Sequence, residues 1–218
     1  MAAAQSESSN ESTDNTMERR FFTFLWFAVL LVAAVPSRPL YADSPALEHL
    51  KTSIASLQQV LRDPKLAGAQ HLYQRRKLAR VVLGQIFDFE EMSRRSLGRN
   101  ARTYSNRLGE FTPLFVDFLE HAYMGTLEDN GEAKIQYDKE IIDGKFVEID
   151  TRAKLNSKEY GVNYKFYQSP AGWRAYDVVV EGISIVNNYR AQFDRILSKK
   201  SFDGLLQDLR DQKANFKE

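Results

Sequence analysis

The chain has 218 residues, of which 43% are hydrophobic, and its 30 basic and 29 acidic side chains leave a formal net charge of +1. This composition is that of one globular domain with a sizeable core, and the near-neutral charge argues against electrostatic capture of nucleic acid or of an anionic membrane surface. The chain has no cysteine, which excludes a disulfide framework, a thiolate nucleophile and a cysteine metal site.

The N-terminal segment has the pattern of an export signal. Two arginines precede the apolar run FFTFLWFAVLLVAAV at residues 21–35. This run is shorter than the roughly 20 residues that span a bilayer. A small residue, Ala42, comes before a break in the pattern, as at a signal cleavage site. We therefore predict a signal peptide over residues 1–42 and a mature domain over residues 43–218.

Two amphipathic helices are predicted at the start of the mature domain. The first has Ser44 as a typical N-cap and Pro45 at its first position, and apolar residues recur every three or four positions as far as Leu61. The second covers residues 70–87 and contains the basic segment QRRK. We interpret this segment as a solvated helix face, with docking to a membrane-protein partner as the alternative.

The next two helices have a capping signal and a wide aromatic face. Asp88 and Glu91 have the D-x-x-E spacing of a capping box, and Gly98 is suited to the end of this short helix. Apolar and aromatic residues at helical spacing then predict a long helix over residues 105–128. Pro113 removes a backbone donor, so we expect a kink in the first turns of that helix.

After residue 131 the apolar period changes from helical to two. This alternation predicts three or four antiparallel strands, with the segment SPAG at 169–172 as a hairpin turn and a strand at 176–180. Helices at 185–197 and 202–209 complete the chain. The order predicts an α+β domain in which helices pack on one face of a small curved antiparallel sheet and enclose a hydrophobic pocket.

Two acidic residues adjoin the predicted strand at 176–180. Strand alternation places Asp177 and Glu181 on one face and Tyr176 and Val178 on the other. Four residues of strand separate the two carboxylates by about 13 Å, which is too far for a glycosidase pair. We interpret both as polar groups that bind solvent or backbone at the rim of the sheet, with a catalytic base as the alternative.

The sequence contains no motif for nucleotide binding, a nucleophile elbow or a metalloprotease. The three histidines fall on separate predicted helices: His49, His71 and His121. We therefore predict no catalytic site, no metal site and no nucleic-acid partner. The abundant tyrosines indicate a cavity with a wet mouth instead, because a buried tyrosine hydroxyl needs a hydrogen-bond partner.

Sequence similarity to a known family is concentrated in three segments: FDFEEMSRRSLGRN at 87–100, FVDFLEHAY at 115–123 and GWRAYDVVVEGISIVNNYRAQF at 172–193. Together they resemble the MlaC family, the toluene-tolerance or auxiliary periplasmic components of a phospholipid ABC transport system linked to outer-membrane lipid asymmetry. The resemblance implies a periplasmic, monomeric carrier that is not an enzyme and has no cofactor, because its phospholipid is cargo. It also implies two partners, an outer-membrane lipoprotein complex and an inner-membrane MCE-domain ABC transporter.

The resemblance further implies four residues of the lipid pocket: Tyr123, Leu127, Val162 and Ile183. To these the apolar pattern adds five: Phe115, Tyr164, Tyr176, Val178 and Ile185. Two alternatives are kept, a carrier of hopanoid lipids and a cavity-bearing enzyme that uses Asp177 or a tyrosine as its base.

Overall fold

Helices, then a single antiparallel sheet, then helices follow one another along the chain in this computed structural model, which describes residues 43–155 and 158–215. Within those ranges the helices are α1 (Pro45–Arg62), α2 (Leu72–Ile86), α3 (Phe89–Leu97), α4 (Asn100–Thr103), α5 (Leu108–Asp129), α6 (Ile185–Leu197) and α7 (Phe202–Asn215). The strands are β1 (Lys134–Asp143), β2 (Phe146–Leu155), β3 (Lys158–Ser169), β4 (Gly172–Val180) and β5 (Ile183–Ser184). The predicted signal peptide lies outside the described residues.

The five strands form an antiparallel sheet in which each strand pairs with its neighbour in sequence, in the order β1-β2-β3-β4-β5. The predicted hairpin at SPAG connects β3 to β4. There the Ser169 hydroxyl accepts from the Ala171 backbone N–H at 3.2 Å and donates to the Gly172 carbonyl at 2.8 Å. Gly172 has φ of 101°, a conformation that favours glycine. The predicted α+β class is therefore confirmed.

One face of the sheet is apolar, and the strand register aligns its side chains in rows. We call this the inner face. Its three central rows are Val147–Phe166–Ala175, Ile149–Tyr164–Val178 and Thr151–Val162–Val180. The first row is almost fully buried, because Leu50 of α1 and Ile86 of α2 pack on it. The third row is farthest from this contact.

A second core lies among α3, α5, α6 and α7. Phe111 and Phe115 of α5 stack with ring centroids 5.5 Å apart, and Phe193 of α6 meets each of them edge-on at 5.4 Å. Leu205 and Leu206 of α7 complete this helical core with almost no exposure. Helix α5 is continuous through Pro113, the residue at which the sequence predicts a kink.

The predicted caps form at α1 and α3. Ser44 accepts from the Leu47 backbone N–H at 3.1 Å. Asp88 accepts from the Glu91 N–H at 2.9 Å, but the Glu91 carboxylate binds Arg94 and Arg95 rather than returning to Asp88. The box is therefore half formed, and the Asp88 N–H donates to the Ala175 carbonyl of β4 at 2.9 Å instead. This bond attaches the start of α3 to the sheet.

The interpretation of QRRK as a solvated face is wrong for Arg75 and Arg76, which pair with α5, whereas Gln74 and Lys77 of the same segment are exposed. Arg75 and Arg76 pair with Glu128 of α5 at 3.2 and 2.8 Å. Arg80 pairs with two further carboxylates of α5, those of Asp117 and Glu120, at 2.7 and 3.1 Å. These three arginines therefore link α2 to α5.

Candidate functional site

The candidate site begins with an apolar part of the inner face that the helices leave partly open. Val162 of β3 lies opposite Val180 of β4, which in turn lies opposite Ile183 of β5. Val180 is 36% exposed and Ile183 is 64% exposed, while Val162 is half-buried. In the neighbouring row Tyr164 lies opposite the buried Val178. We call these five residues the apolar sheet surface.

The C-terminal half of α5 supplies a second boundary. Tyr123 is 36% exposed, and its hydroxyl lies 3.5 Å from that of Tyr189 on α6. Leu127 is half-buried against a small cluster that includes Met124 and residues of α1 and α2. This half of α5 therefore contacts α6 through Tyr123 and packs against α1 and α2 through Leu127, and both α2 and α6 contact β4. We assign the candidate site to the apolar sheet surface, with Tyr123 and Leu127 of α5 as the predicted residues of its second boundary.

Two predicted residues belong to the helical core and not to this open surface. Phe115 is fully buried between Phe111, Tyr189 and Phe193. Ile185, the first residue of α6, is half-buried against the same core. Phe115 therefore packs against Tyr189 inside the helical core and has no exposed surface for a ligand in this structure.

Tyr176 lies on the other face of the sheet, which corrects its predicted place beside Val178. Lys165 pairs with Asp177 whereas the next residue, Phe166, pairs with Ala175, so Tyr176 is an extra residue in β4. A bulge of this kind reverses the alternation of side chains. The Tyr176 ring accordingly contacts two rings of the outer face and lies 3.9 Å from the Arg95 guanidinium.

The acids beside this strand have structural partners. Asp177 is only 4% exposed, and its carboxylate accepts from the Ser184 hydroxyl at 2.6 Å and from the Val186 N–H at 3.1 Å. It therefore satisfies a free backbone donor at the N-terminus of α6. The carboxylate is buried, whereas the sequence predicts a position at the rim of the sheet. Glu181 accepts from the Gly161 N–H across the sheet. The prediction of backbone hydrogen bonding is thus confirmed for both carboxylates.

With this geometry established, the comparisons with known proteins identify the family. The model of the MlaC protein family matches residues 51–211. The chain belongs to the MlaC family. No curated protein matches this MlaC chain.

Among solved structures, the MlaC chain is similar to a phospholipid-binding protein from Ralstonia solanacearum, determined in complex with a phospholipid at 1.53 Å. The two chains are 22% identical with a TM-score of 0.72, and the match covers 80% of this chain and 100% of the other. At this identity the match establishes a common fold.

Burial keeps the phenols of this MlaC protein in their neutral form. It raises the pKa of Tyr164, and the neighbouring phenol of Tyr137 raises it further. Burial also raises the pKa of Tyr189, to which the contact with Tyr123 adds. These hydroxyls are therefore hydrogen-bond donors at neutral pH and poor general bases.

Sequence reasoning missed Val180 of the apolar sheet surface and two tyrosines next to predicted residues: Tyr137, opposite Thr151 in the row of Val162, and the buried Tyr189, whose hydroxyl faces that of Tyr123. The alternation that predicts Val178 places Val180 on the same face, so Val180 could have been predicted from the sequence. Tyr137 and Tyr189 depend on contacts between elements that are distant in sequence, and no local pattern marks them.

Two surface grooves of about 640 and 650 Å³ lie elsewhere, and neither is the apolar pocket expected from the sequence. The first is formed by the ends of α1 and α5 with the start of β1, and the second by arginines of α3 and α6, including Arg95 and Arg190. Within residues 43–155 and 158–215, no cluster of three or more histidine, aspartate or glutamate side chains could hold a metal ion. No helix in that part of the chain is long and apolar enough to cross a membrane.

Proposed function

We propose that this MlaC-family protein is a periplasmic phospholipid carrier without catalytic activity. The observation that carries the proposal is the apolar sheet surface, on which the neighbouring Val180 and Ile183 stay exposed. Exposed apolar side chains grouped at one place are typical of binding sites. The related fold of the R. solanacearum protein, whose structure contains a phospholipid, supports the same class of ligand.

The energetics of lipid transfer agree with a carrier that works between membranes. A diacyl lipid has roughly thirty methylenes, so exposing both chains to water would cost on the order of 24 kcal/mol. Transfer between a membrane and an apolar site exchanges one apolar medium for another, so its net free energy is small. The direction of transfer then comes from the complexes at each membrane, an outer-membrane lipoprotein complex and an inner-membrane MCE-domain ABC transporter. Both partners, and export to the periplasm, are part of the proposal.

The contacts of the polar side chains argue against the enzymatic alternative. Asp177 is occupied by the N-terminus of α6, and Glu181 by the backbone of β3. The raised pKa values of Tyr164 and Tyr189 keep these phenols protonated at neutral pH. No general base therefore faces the candidate site from these positions.

Organic extraction of the purified exported protein, followed by mass spectrometry of the extract, tests the function. We expect a glycerophospholipid in near-stoichiometric amount. A hopanoid in its place would assign the alternative cargo. An extract without lipid, from protein that also fails to take up added phospholipid, would contradict the carrier function.

A further inference from the structure

Two tyrosines of the inner face lie on opposite sides of β2, one beside the apolar sheet surface and one within it. Tyr137 of β1 lies opposite Thr151, in the row that continues through Val162 to Val180. Tyr164 lies in the next row and is itself part of the apolar sheet surface. Both rings are half-buried, packed against the core that α1 and α2 form with the sheet.

The hydroxyls of these two tyrosines have no hydrogen-bond partner among the described residues. Other hydroxyls nearby are satisfied: that of Thr151 donates to the Val162 carbonyl at 2.9 Å, and that of Tyr167 donates to Asp88. The side-chain atoms that are both sealed and unpartnered in the described part of the chain belong to Ser96, Thr112 and Asn163. The Tyr137 and Tyr164 hydroxyls are not among these atoms, and both residues keep partial exposure.

A ligand that covers these two hydroxyls must offer each of them a hydrogen-bond acceptor. Water satisfies an accessible hydroxyl, but an acyl chain that displaces the water leaves the donor unpaired, which is unfavourable. Burial raises the pKa of both phenols, so they stay protonated and can only be satisfied by an acceptor. A ligand that fits must therefore place hydrogen-bond acceptors beside its apolar chains.

The charges around the two tyrosines favour a neutral acceptor over a phosphate. Lys51 lies 5.5 Å above the Tyr137 ring, but its ammonium is paired with Asp43. Glu140 lies in the same row as Tyr164, across β2, and its carboxylate would repel a second anion. Ester carbonyl oxygens are neutral and are attached directly to the acyl chains of a glycerolipid.

We propose that Tyr137 and Tyr164 donate hydrogen bonds to the ester carbonyl oxygens of the bound lipid and so make the site selective for acyl esters. This inference rests on the proposed carrier function and specifies its cargo. The two hydroxyls distinguish an ester-linked glycerolipid from an ether-linked one with the same head group, and from a hydrocarbon such as a hopanoid ring system.

Competition between two phospholipids that differ only in this linkage tests the inference. Delipidated protein is exposed to an equimolar mixture of diacyl and dialkyl-ether phosphatidylcholine of equal chain length, and the bound lipids are counted by mass spectrometry. We expect the wild-type protein to prefer the ester by about five- to tenfold, the effect of one to two neutral hydrogen bonds. Tyr164→Phe and Tyr137→Phe should each reduce this ratio, and the double variant should bring it close to one.

Tyr167→Phe is the matched control, because Tyr167 is also in β3 but lies on the outer face of the sheet, where its hydroxyl donates to Asp88. It should keep the wild-type ratio. Equal uptake of ester and ether by the wild-type protein would overturn the inference, and this result requires no variant to fold. A preference that survives the double substitution would also overturn it. If neither the ester nor the ether lipid binds, the carrier function itself is contradicted.

Discussion

Substitution of Ile183 by aspartate should separate lipid binding from folding. Ile183 is 64% exposed in β5 and lies opposite Val180 on the apolar sheet surface. A charge at an exposed position stays in water, so we expect the free energy of unfolding to change by less than about 1 kcal/mol. A bound lipid, however, would cover this side chain and meet the carboxylate with its acyl chains.

The loss of affinity can be worked from that exposure. Full burial of an isoleucine contributes about 1.5–3 kcal/mol, so covering the exposed two thirds contributes about 1–2 kcal/mol, which Ile183→Asp removes. Desolvation of the new carboxylate adds about 1–3 kcal/mol, even by the scale measured for uncharged polar groups in proteins. The total, about 2–5 kcal/mol, corresponds to a loss of affinity of about thirtyfold or more.

The assay measures co-purified phospholipid and the urea unfolding of the delipidated protein for the same variant. Ile142→Asp is the control, because Ile142 is also an isoleucine of the inner face and is 62% exposed. It lies in the row of Phe166, about 13 Å along the strands from the row of Val162. We expect lipid-depleted, folded Ile183→Asp and lipid-loaded Ile142→Asp. Folded Ile183→Asp with full lipid occupancy would refute the assignment of this residue to the site.

Three further predictions concern export, the buried acid and the link between α2 and α5. The intact mass of the exported protein should correspond to a chain that begins at or within a few residues of Asp43, and a full-length membrane-embedded product would contradict the signal peptide. Asp177→Ala should lower the free energy of unfolding by about 1–3 kcal/mol in urea, because it leaves the Val186 N–H unpaired. Loss of lipid binding by this variant at wild-type stability would instead indicate a functional role. Burial alone would raise the pKa of Glu128, but the hydrogen bond from Arg76 and the nearby guanidinium charges outweigh it and lower the pKa below the ordinary 4.5. The stability difference between wild type and Glu128→Gln should therefore be complete above pH 4.5 and disappear as the pH falls through the lowered value, and a difference that persists at lower pH would be inconsistent with the ion pairs.

Local patterns predicted the elements of this fold well. The N-cap at Ser44, the cap at Asp88 and the hairpin at 169–172 each depend on residues within a few positions of one another, and all three form. The alternation in β2 and β3 identified the inner face, including Val162 and Tyr164. These features could be predicted because the physical cause and the sequence pattern are both local.

The errors share a different cause, which is dependence on partners that are distant in sequence. Nothing within β4 shows that Tyr176 is an extra residue, because the bulge is defined by the register with Lys165 and Phe166 of β3. The sequence predicts a solvated face for the arginines of α2, because the carboxylate that pairs with Arg75 and Arg76 is on α5, about fifty residues later. The partner of Asp177 is nearer, at the start of α6, but it lies beyond the strand whose alternation was used for the prediction.

Photo-crosslinking from Val180 tests the central claim, that the apolar sheet surface holds a phospholipid, most directly. A photoreactive benzoylphenylalanine replaces Val180, and a control protein has it at Ile141, which is similarly exposed but lies on the outer face of β1, opposite Glu148. After irradiation of lipid-loaded protein, we predict an adduct with the mass of one phospholipid at position 180 and none at position 141. Equal adducts at both positions, or an adduct at position 141 alone, would contradict the claim.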